Sequence, residues 1–453
     1  MENAKPRSSF SGKLGFVLAA AGSAVGLGNL WRFPYLAAKY GGGIFLLVYI
    51  LLAVTFGFAL MIAEVAIGRK TRQSAINAYK ALKPRWAFLG WVSSLVPMII
   101  FPYYSVIGGW VLKYLSVFAM GGAKEAAETA FFNSFIQKPA EPVFWLGLFL
   151  ALTAIIVLLG VEKGVEKASK IMMPVLILLS VAIAAYTVTR PGALEGVKYY
   201  FLPDFSKFSP MTVLAALGQL FYSMSLAMGI MITYGSYMKQ EVNLEKSVRQ
   251  IEWFDTGIAI LAGLMIVPAV FAFSGGDESA LNAGAGLMFQ TLPKVFDSMP
   301  LGNLIGALFF LLVLFAALTS AISLMETVVS IFQDKLHWGR KMTCGVVAGG
   351  GFLVALVSSF GYGIWSGVQP LGMAFLDFFD FISNSIIMPI VAILTCVFVG
   401  FVLKPKTISD EVRLSSRFRD EKLFVVLIKW IAPVCMVAIL ISSVLNGLGI
   451  IKI

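Results

Sequence analysis

Apolar runs long enough to cross a lipid bilayer recur along almost the whole chain, from Leu14 to Leu448. A backbone inside a membrane must pair its own polar groups, so each crossing is expected to be a helix of about 20 apolar residues. The pattern predicts an all-α integral membrane protein. Its eleven expected spans lie near residues 13–38, 42–69, 88–119, 143–160, 166–189, 210–237, 250–273, 300–333, 342–359, 370–403 and 424–448.

The composition excludes several other kinds of protein. Of the 453 residues, 59% are hydrophobic and 13% are charged, and no polar stretch is long enough to build a separate water-soluble core. The formal net charge of +11 comes from cations in short loops, so we expect no nucleic-acid partner. One histidine, His337, and three cysteines inside apolar runs supply no catalytic or metal-binding cluster, and we expect no enzyme.

Positive charge is distributed unevenly between the two sides of the predicted bundle. With the N-terminus inside the cell, the cytoplasmic segments carry 24 Lys and Arg residues and the outer segments carry 8. Cytoplasmic loops of membrane proteins hold the excess of Lys and Arg. We therefore expect a multi-pass protein of a bacterial-type plasma membrane, the cell inner membrane, with a cytoplasmic N-terminus and an extracellular C-terminus.

Two of the predicted spans contain residues that disfavour a continuous helix. The first carries Gly22, Gly26, Gly28 and Asn29 near its middle, and the sixth repeats the pattern over residues 219–229, about 200 residues later. Glycine costs about 1 kcal/mol at an interior helical position, and unwound backbone at membrane depth is tolerated only within protein or along a cavity. Close helix packing on the glycines is the alternative explanation.

Because each interrupted span opens a block of five, the pattern favours a 5+5 inverted repeat plus one extra helix, with a binding site where the breaks meet. The expected segments alternate between membrane repeats and connections, and they cover residues 1–12, 13–189, 190–209, 210–403, 404–423 and 424–453. Gly275, Gly276 and Gly284-Ala285-Gly286 would let the outer loop 274–301 bend into a vestibule as a lid. An ordinary mobile loop explains these glycines equally well.

Residues 22–34 include Gly-Leu-Gly-Asn-Leu-Trp-Arg-Phe-Pro, which resembles the first-helix signature of the neurotransmitter:sodium symporter family. From about Arg7 to the end of the eleventh helix, the chain is similar to the bacterial leucine, tryptophan and tyrosine transporters of that family. The resemblance implies a sodium-coupled symporter that works by alternating access in the lipid bilayer. The family pattern usually has twelve helices, so any role of the twelfth, such as a dimer contact, is left open together with the oligomeric state.

The resemblance implies two sodium sites that are built mainly from oxygen atoms. The first would combine the substrate carboxylate with the carbonyl of Ala24 and the side chains of Asn29 and Ser223. The second would combine three carbonyls and two hydroxyls, those of Gly22, Val25, Ala316, Thr319 and Ser320. Taken alone, a Thr-Ser pair in a membrane helix more often bonds to its own backbone.

Asp255 lies inside the seventh apolar run, where an ionisable group costs at least about 2.5 kcal/mol and marks function by default. Animal members of the family use a chloride near the first sodium, whereas chloride-independent bacterial members carry an acidic side chain nearby. The resemblance therefore implies that Asp255 replaces chloride, which is then not required. A position just inside the cytoplasmic end of the span, near Glu252, is the alternative, and direct contact of Asp255 with sodium stays open.

The implied substrate is a neutral, large hydrophobic or aromatic amino acid. Amine transporters of the family carry an aspartate at the position of Gly26, and its absence leaves room for an α-carboxylate at the half-helix N-terminus at Gly28. The ammonium would lie near the Ser225 hydroxyl. The substrate-binding positions that the resemblance implies are Ser23, Gly26, Gly28, Ile100, Tyr104, Tyr222, Ser225, Met228, Ser323 and Leu324.

The resemblance also implies a gate on each side of the site. Outside, Arg32 would pair with Asp380 or with its rival Asp377, beside Gln219, and Tyr222 would be the lid over the ligand. Inside, Arg7 would pair with Asp334, supported by Tyr237 and Phe10. Gly164 and Pro174, ten residues apart, match a motif at which the fifth span unwinds to release sodium, and Glu166, Lys167 and Lys170 would admit water there.

Other functions predict different patterns. A sodium symporter for another small zwitterion would use the same site. An ion channel, the less favoured alternative, needs an uninterrupted polar pore, whereas this chain offers coordination at two breaks. An intramembrane enzyme needs an acid–base set that the sequence lacks.

Overall fold

The computed structural model describes residues 8–276, 286–447 and 450, which are built from helices and contain no β-sheet. Nine of the described helices are long and apolar enough to cross a membrane. They are Gly43–Thr71, Pro84–Ala119, Glu141–Leu158, Val161–Val188, Leu244–Ser274, Gly302–Leu336, Arg340–Phe360, Phe375–Val402 and Glu421–Gly447.

Two further spans are interrupted. The first consists of Lys13–Ala24 and Gly28–Lys39, which meet at a bend of 53°. The sixth consists of Pro210–Ser223 and Ile230–Tyr237, with residues 224–229 between them outside any helix. The first of these brings the apolar spans of the described residues to ten, and the sixth, assigned from its two helices, would be the eleventh. The predicted all-α membrane fold class is confirmed.

Short helices cover the ends of the bundle. They are Ala75–Leu82, Ala123–Ala126, Phe131–Gln137, Ala193–Phe201, Leu292–Asp297 and Pro405–Arg413.

The two interrupted spans lie at the centre of the bundle. Every residue from Gly15 to Ala24 is buried, and so is every residue of Ile230–Tyr237. By contrast, only 33% of the most apolar window of Glu141–Leu158 or of Arg340–Phe360 is buried, because these helices lie at the periphery. The breaks therefore face protein rather than lipid, as unpaired backbone groups require.

The seventh and tenth spans start at other residues than the sequence predicts. The seventh span begins at Leu244, six residues before the predicted start, because its first turns are polar and the Asn243 side chain caps the Lys246 N–H at 2.9 Å. The tenth begins at Phe375 rather than residue 370, because Leu371 adopts a left-handed φ of 51° that no helix continues. The apolarity of a segment predicts neither the residue that caps a helix nor a kink in its backbone.

The predicted lid lies partly outside the described residues, which do not include Gly284 and Ala285. Its later part packs against the third span. The Tyr114 hydroxyl donates to the Phe289 carbonyl at 2.7 Å, and the Phe289 ring stacks on Phe132 with centroids 5.1 Å apart.

Candidate functional site

Polar contacts hold the break of the sixth span against the first and second spans. Ser225, at φ 53°, donates its hydroxyl to the Ser23 carbonyl at 2.9 Å. Ala227, at φ 60°, donates its N–H to Glu64 Oε1 at 2.8 Å. Left-handed φ is unfavourable for residues with a Cβ. These bonds therefore stabilise a backbone that would otherwise relax.

Three polar side chains from three spans converge beside the first break. The Asn29 amide nitrogen donates to Ser223 Oγ at 2.9 Å and to Asp255 Oδ1 at 2.8 Å. Ser223 donates to the same Asp255 oxygen at 2.6 Å. Asp255 is fully buried, and Tyr49 lies 3.5 Å from its second oxygen. Asp255 therefore lies inside the bundle beside Asn29, not at the cytoplasmic end of its helix, which excludes the alternative position.

A second group of oxygen atoms lies between the first and eighth spans. The Ser320 hydroxyl is 3.2 Å from the Ser23 carbonyl and 3.5 Å from the Val25 carbonyl. Thr319 donates to the Ala316 carbonyl at 3.1 Å, and a Cβ placed on Gly22 would lie 3.1 Å from Thr319 Cβ. The five ligands predicted for the second sodium site thus lie together, and their hydroxyls bond to backbone carbonyls.

A cavity of about 40 Å³ lies between the two breaks. Nine of the ten predicted substrate positions line it, and they are Ser23, Gly26, Gly28, Ile100, Tyr104, Tyr222, Ser225, Met228 and Leu324. Ala24, Asn29, Ser223 and Ser320 line it as well. None of its lining residues is ionisable apart from the two tyrosines.

Ser323, the tenth predicted position, does not line the cavity. Its hydroxyl accepts from Tyr234 at 2.9 Å and donates to the Thr319 carbonyl at 2.9 Å, so it is fully used in helix packing. Leu27 and Ile230 line the cavity although the sequence analysis did not select them. Leu27 donates its N–H to the Tyr104 hydroxyl at 3.3 Å, and its place in the first break is the signal that could have identified it.

The outer gate residues lie around a larger cavity of about 320 Å³. The Arg32 guanidinium lies 5.1 Å from the centre of the Tyr222 ring, which also lines the central cavity and so separates the two spaces. Gln219 donates to the Gly28 carbonyl at 3.0 Å. In the described structure Arg32 and Asp380 both line this cavity and form no direct ion pair.

Asp380 and Asp377, the two candidate partners of Arg32, both line this cavity but have different surroundings. Asp380 is half-buried and accepts from Tyr103 at 3.0 Å and from Asn384 at 2.6 Å, whereas Asp377 is exposed. Tyr103 and Asn384 were not selected from the sequence.

The end of the central bundle that holds Phe10 is closed by aromatic contacts and by a hydrogen bond to a carboxylate. Phe10 is buried, and its ring packs edge-on against Tyr234 and Tyr237. Asp334 accepts from the Ser74 N–H at 2.7 Å. Arg7, the predicted partner of Asp334, lies outside the described residues.

A buried ion pair that the sequence analysis missed lies next to this closure. Tyr237 donates to Glu326 Oε1 at 2.8 Å, and Arg340 pairs with the same fully buried carboxylate. Glu326 and Glu64 are ionisable residues inside apolar runs, the same signal that selected Asp255.

The predicted release segment is wound and sealed in this structure. Gly164 belongs to a π-helical turn, Val161–Glu166, that extends the fifth span five residues before its predicted start, and Pro174 follows inside the helix. Glu166 is 1% exposed and accepts from the Ser11 N–H at 2.8 Å, while Lys170 lies 2.6 Å from its carboxylate. The N-terminal segment covers Glu166 in this wound conformation, and the wettability of the unwound segment stays a prediction.

A helix bundle that is interrupted twice at its centre, with oxygen atoms and a cavity at the breaks and closures on both sides, defines a secondary transporter. The chain matches the model of the sodium:neurotransmitter symporter family over residues 7–122 and 126–449, and it belongs to this family. The predicted family is thereby confirmed. Members of this family are membrane transporters and not enzymes. The chain is therefore a sodium-dependent symporter of the membrane.

Relatives cover nearly its whole length. It is 36% identical to the sodium-dependent transporter YhdH of Bacillus subtilis over 449 residues, 96% of this chain and 97% of the relative. It is 34% identical to a sodium-dependent transporter of Haemophilus influenzae, with 97% and 99% covered. The human sodium- and chloride-dependent GABA transporter 2 is 27% identical over 90% of this chain and 75% of its own.

A solved structure has the same fold. The crystal structure of MhsT in complex with L-phenylalanine is similar with a TM-score of 0.87 and 37% sequence identity, and the match covers 97% of this chain and 100% of that one.

Proposed function

We propose that this symporter imports a neutral, hydrophobic or aromatic amino acid together with two sodium ions, by alternating access and without chloride. The observation that carries the proposal is the central cavity, which combines apolar side chains with uncharged polar groups at the two breaks. The L-phenylalanine bound to MhsT supports the substrate class.

The cavity offers different chemistry at its two ends. At the first break, the Tyr104 hydroxyl and the start of the helix at Gly28 suit a carboxylate, since helix N-termini attract anions. Ile100, Met228 and Leu324 supply apolar surface for the side chain of the substrate. A charged side chain would have no counter-ion there and would be expensive to bury.

Sodium and substrate would stabilise each other in this arrangement. We infer that the first ion lies among Ala24, Asn29 and Ser223 and shares the substrate carboxylate, with the Asp255 charge close by. The second ion would lie among the oxygens between the first and eighth spans. By linkage, sodium must then raise the affinity for the amino acid by the same factor as the amino acid raises the affinity for sodium.

Binding requires rearrangement of the cavity wall. A volume of about 40 Å³ holds a few water molecules and not a phenylalanine side chain. Tyr222 separates the central from the outer cavity, so its displacement would admit the substrate from outside. We place the N-terminus in the cytoplasm of a bacterial-type cell and the C-terminus outside.

The test is uptake into proteoliposomes that contain the purified full chain. An inward sodium gradient should drive accumulation of radiolabelled L-phenylalanine, and unlabelled leucine, tryptophan and tyrosine should compete better than lysine, glutamate or GABA. A matched potassium gradient is the control. Better competition by GABA or by a charged amino acid would contradict the substrate class, and uptake that ignores sodium would contradict the coupling.

A further inference from the structure

A cavity of about 450 Å³ lies on the side of the bundle that we assign to the cytoplasm. Two loops that are far apart in sequence form it, one at the start of the seventh span (residues 243–249) and one before the eleventh (residues 416–420). It shares no lining residue with the central or the outer cavity, so it is a separate feature of the molecule.

Cations outnumber carboxylates around this cavity. Its charged lining residues are Glu245, Lys246, Arg249, Arg417, Arg419 and Asp420. Both carboxylates are already used. Asp420 pairs with Arg249 at 2.9 Å, and Glu245 accepts the backbone N–H groups of residues 419 and 420 at 3.1 Å.

Three of the lining cations are left without a partner of opposite charge. Lys246, Arg417 and Arg419 are exposed and form no ion pair within the described structure. Lys246 is moreover repelled by Lys13 at the start of the first span. Like charges around one concavity repel one another, although water and salt screen exposed charges, and an anion bound among them would relieve this repulsion.

A buried hydroxyl adds a further unsatisfied group. Ser416 lines the cavity, and its Oγ is shielded from solvent and has no hydrogen-bond partner among the described residues. A buried polar group without a partner costs stability, and a hydroxyl can donate to an oxyanion. Positive-inside flanking charge alone does not explain this donor.

The surface beside the cavity is apolar. Trp253, four residues after Arg249 on the same helix, is 63% exposed. Leu423, three residues after Asp420, is 37% exposed, and Trp430 on the same span is 64% exposed. Exposed tryptophans next to cations are typical of the membrane–water interface. This composition suits a cavity at headgroup level with lipid beside it.

We propose that this cavity binds the phosphate headgroup of an anionic phospholipid, whose acyl chains lie along the Trp253 and Leu423 surface. The unpaired cations and the Ser416 hydroxyl would bind the phosphate, and the apolar flank favours a lipid over a soluble anion. The bound lipid would join the loop before the eleventh span to the helix that carries Asp255.

The test is thermal unfolding of the purified full chain in neutral detergent, titrated with phosphatidylglycerol or with phosphatidylcholine. Phosphatidylglycerol should raise the melting temperature of the parent in a saturable manner. In the variant Lys246→Gln, Arg417→Gln, Arg419→Gln its apparent affinity should fall at least tenfold, since each cation near a membrane surface contributes measurably to anionic-lipid binding. The matched control neutralises three exposed cations of another cytoplasmic loop, Lys80→Gln, Lys83→Gln and Arg85→Gln.

The apparent affinity of the control variant for phosphatidylglycerol should stay within about twofold of that of the parent. Ser416→Asp places a carboxylate in the cavity without removing a cation, so it should also lose the phosphatidylglycerol effect and serves if the triple variant fails to fold. An equal loss of apparent affinity in both triple variants would show that general surface charge causes the phosphatidylglycerol effect. This result would overturn the proposal. So would stabilisation of the parent by inorganic phosphate equal to that by phosphatidylglycerol, or the absence of any phosphatidylglycerol effect.

Discussion

At the residue scale, the polar side chains of the central site form hydrogen bonds with one another. Asn29 and Ser223 both donate to one oxygen of Asp255, which is the only charged group in that cluster as described here. Its negative charge has no cationic side chain as a partner in these contacts. A cation beside it would stabilise it, and this is the physical basis for assigning it the part that chloride plays elsewhere.

The first prediction concerns this charge. We expect uptake by the parent to be unchanged when gluconate replaces chloride. Asp255→Ser removes a charged acceptor of two hydrogen bonds, each worth about 1.5–3 kcal/mol, so uptake in gluconate should fall at least tenfold and chloride should restore part of it. The control is Asp297→Ser, at an exposed carboxylate. A parent that needs chloride, or a variant with full activity in gluconate, would refute the assignment.

The second prediction tests the orientation of the substrate at Gly26. Gly26→Asp would put a carboxylate where the ligand carboxylate is proposed to lie, and like charges about 4 Å apart repel by roughly 4 kcal/mol at an effective dielectric constant of 20. Amino-acid binding should collapse. The amine that lacks the carboxylate, phenethylamine for phenylalanine, should be affected far less.

The structure adds a steric control to this experiment. A Cβ at Gly26 would lie 2.7 Å from Ser320 Oγ and 3.2 Å from the Tyr104 hydroxyl, so any side chain there disturbs the site. Gly26→Asn has the same shape without the charge and should affect both ligands alike. Amino-acid affinity of Gly26→Asp within a few-fold of Gly26→Asn would show that the carboxylate lies elsewhere.

At the scale of helices, the interrupted first span supplies carbonyls that an intact helix would consume. The eighth span, by contrast, is unbroken and contributes side chains. Its Thr319 hydroxyl bonds to carbonyls of its own helix, at 2.9 Å to Phe315 and 3.1 Å to Ala316, while Ser320 reaches across to Val25. Back-bonding and ion binding are therefore alternatives for the same hydroxyls.

The third prediction removes these hydroxyls. In Thr319→Ala with Ser320→Ala, the sodium concentration for half-maximal uptake should rise at least tenfold, because two oxygen ligands are lost from a small cation site. Thr327→Ala is the matched control, since this buried threonine of the same helix only back-bonds to the Ser323 carbonyl at 2.8 Å. Unchanged sodium activation of the double variant would contradict the second site.

The fourth prediction concerns the fifth span. Glu166 fastens the wound segment to Ser11, and Gly15 has no side chain, which lets this carboxylate approach closely. Glu166→Gln keeps the shape and removes the charge, which weakens these charge-assisted bonds, so amide hydrogen exchange across residues 161–174 should accelerate about tenfold. Glu162→Gln, at an exposed glutamate of the same turn, should leave exchange unchanged. Equal exchange in both variants would show that Glu166 does not hold the segment closed.

At the scale of the whole molecule, the described conformation is closed at the end near Phe10 and has a cavity at the opposite end, and we propose that these ends face the cytoplasm and the outside. Phe10, Glu166 and Glu326 are all buried on the inner side. The outer cavity of about 320 Å³ separates Arg32 from a direct ion pair with Asp380. Alternating access then predicts that sodium and substrate together close the outer cavity.

The fifth prediction measures this closure. Gly218 lines the outer cavity, and a Cβ there meets no atom within 4 Å, so Gly218→Cys should be tolerated. In a chain whose three native cysteines are replaced, an impermeant thiol reagent labels only the introduced cysteine. Sodium plus phenylalanine should slow this labelling at least about fivefold. Gly367→Cys, in an exposed outer loop with equally open space, is the control. An equal slowing of labelling in both variants, or no slowing in Gly218→Cys, would contradict closure of the outer cavity.

The sequence by itself determined the eleven spans and the two breaks, because hydrophobicity and helix propensity are local properties that a run of residues carries along the chain. The first-helix motif in addition identified the family. Asp255 could be selected for a local reason too, since a carboxylate within an apolar run needs a function to offset its cost.

Only the tertiary structure decided which side chains meet. Ser323 turns to Tyr234 instead of the cavity, Asp380 accepts a hydrogen bond from Asn384, and Ser11 covers Glu166 from 155 positions away in the chain. Each outcome depends on the rotation and packing of one helix against another. Apolar spans specify that they must be buried together but not at which angle, so these contacts follow from the close packing of the whole bundle.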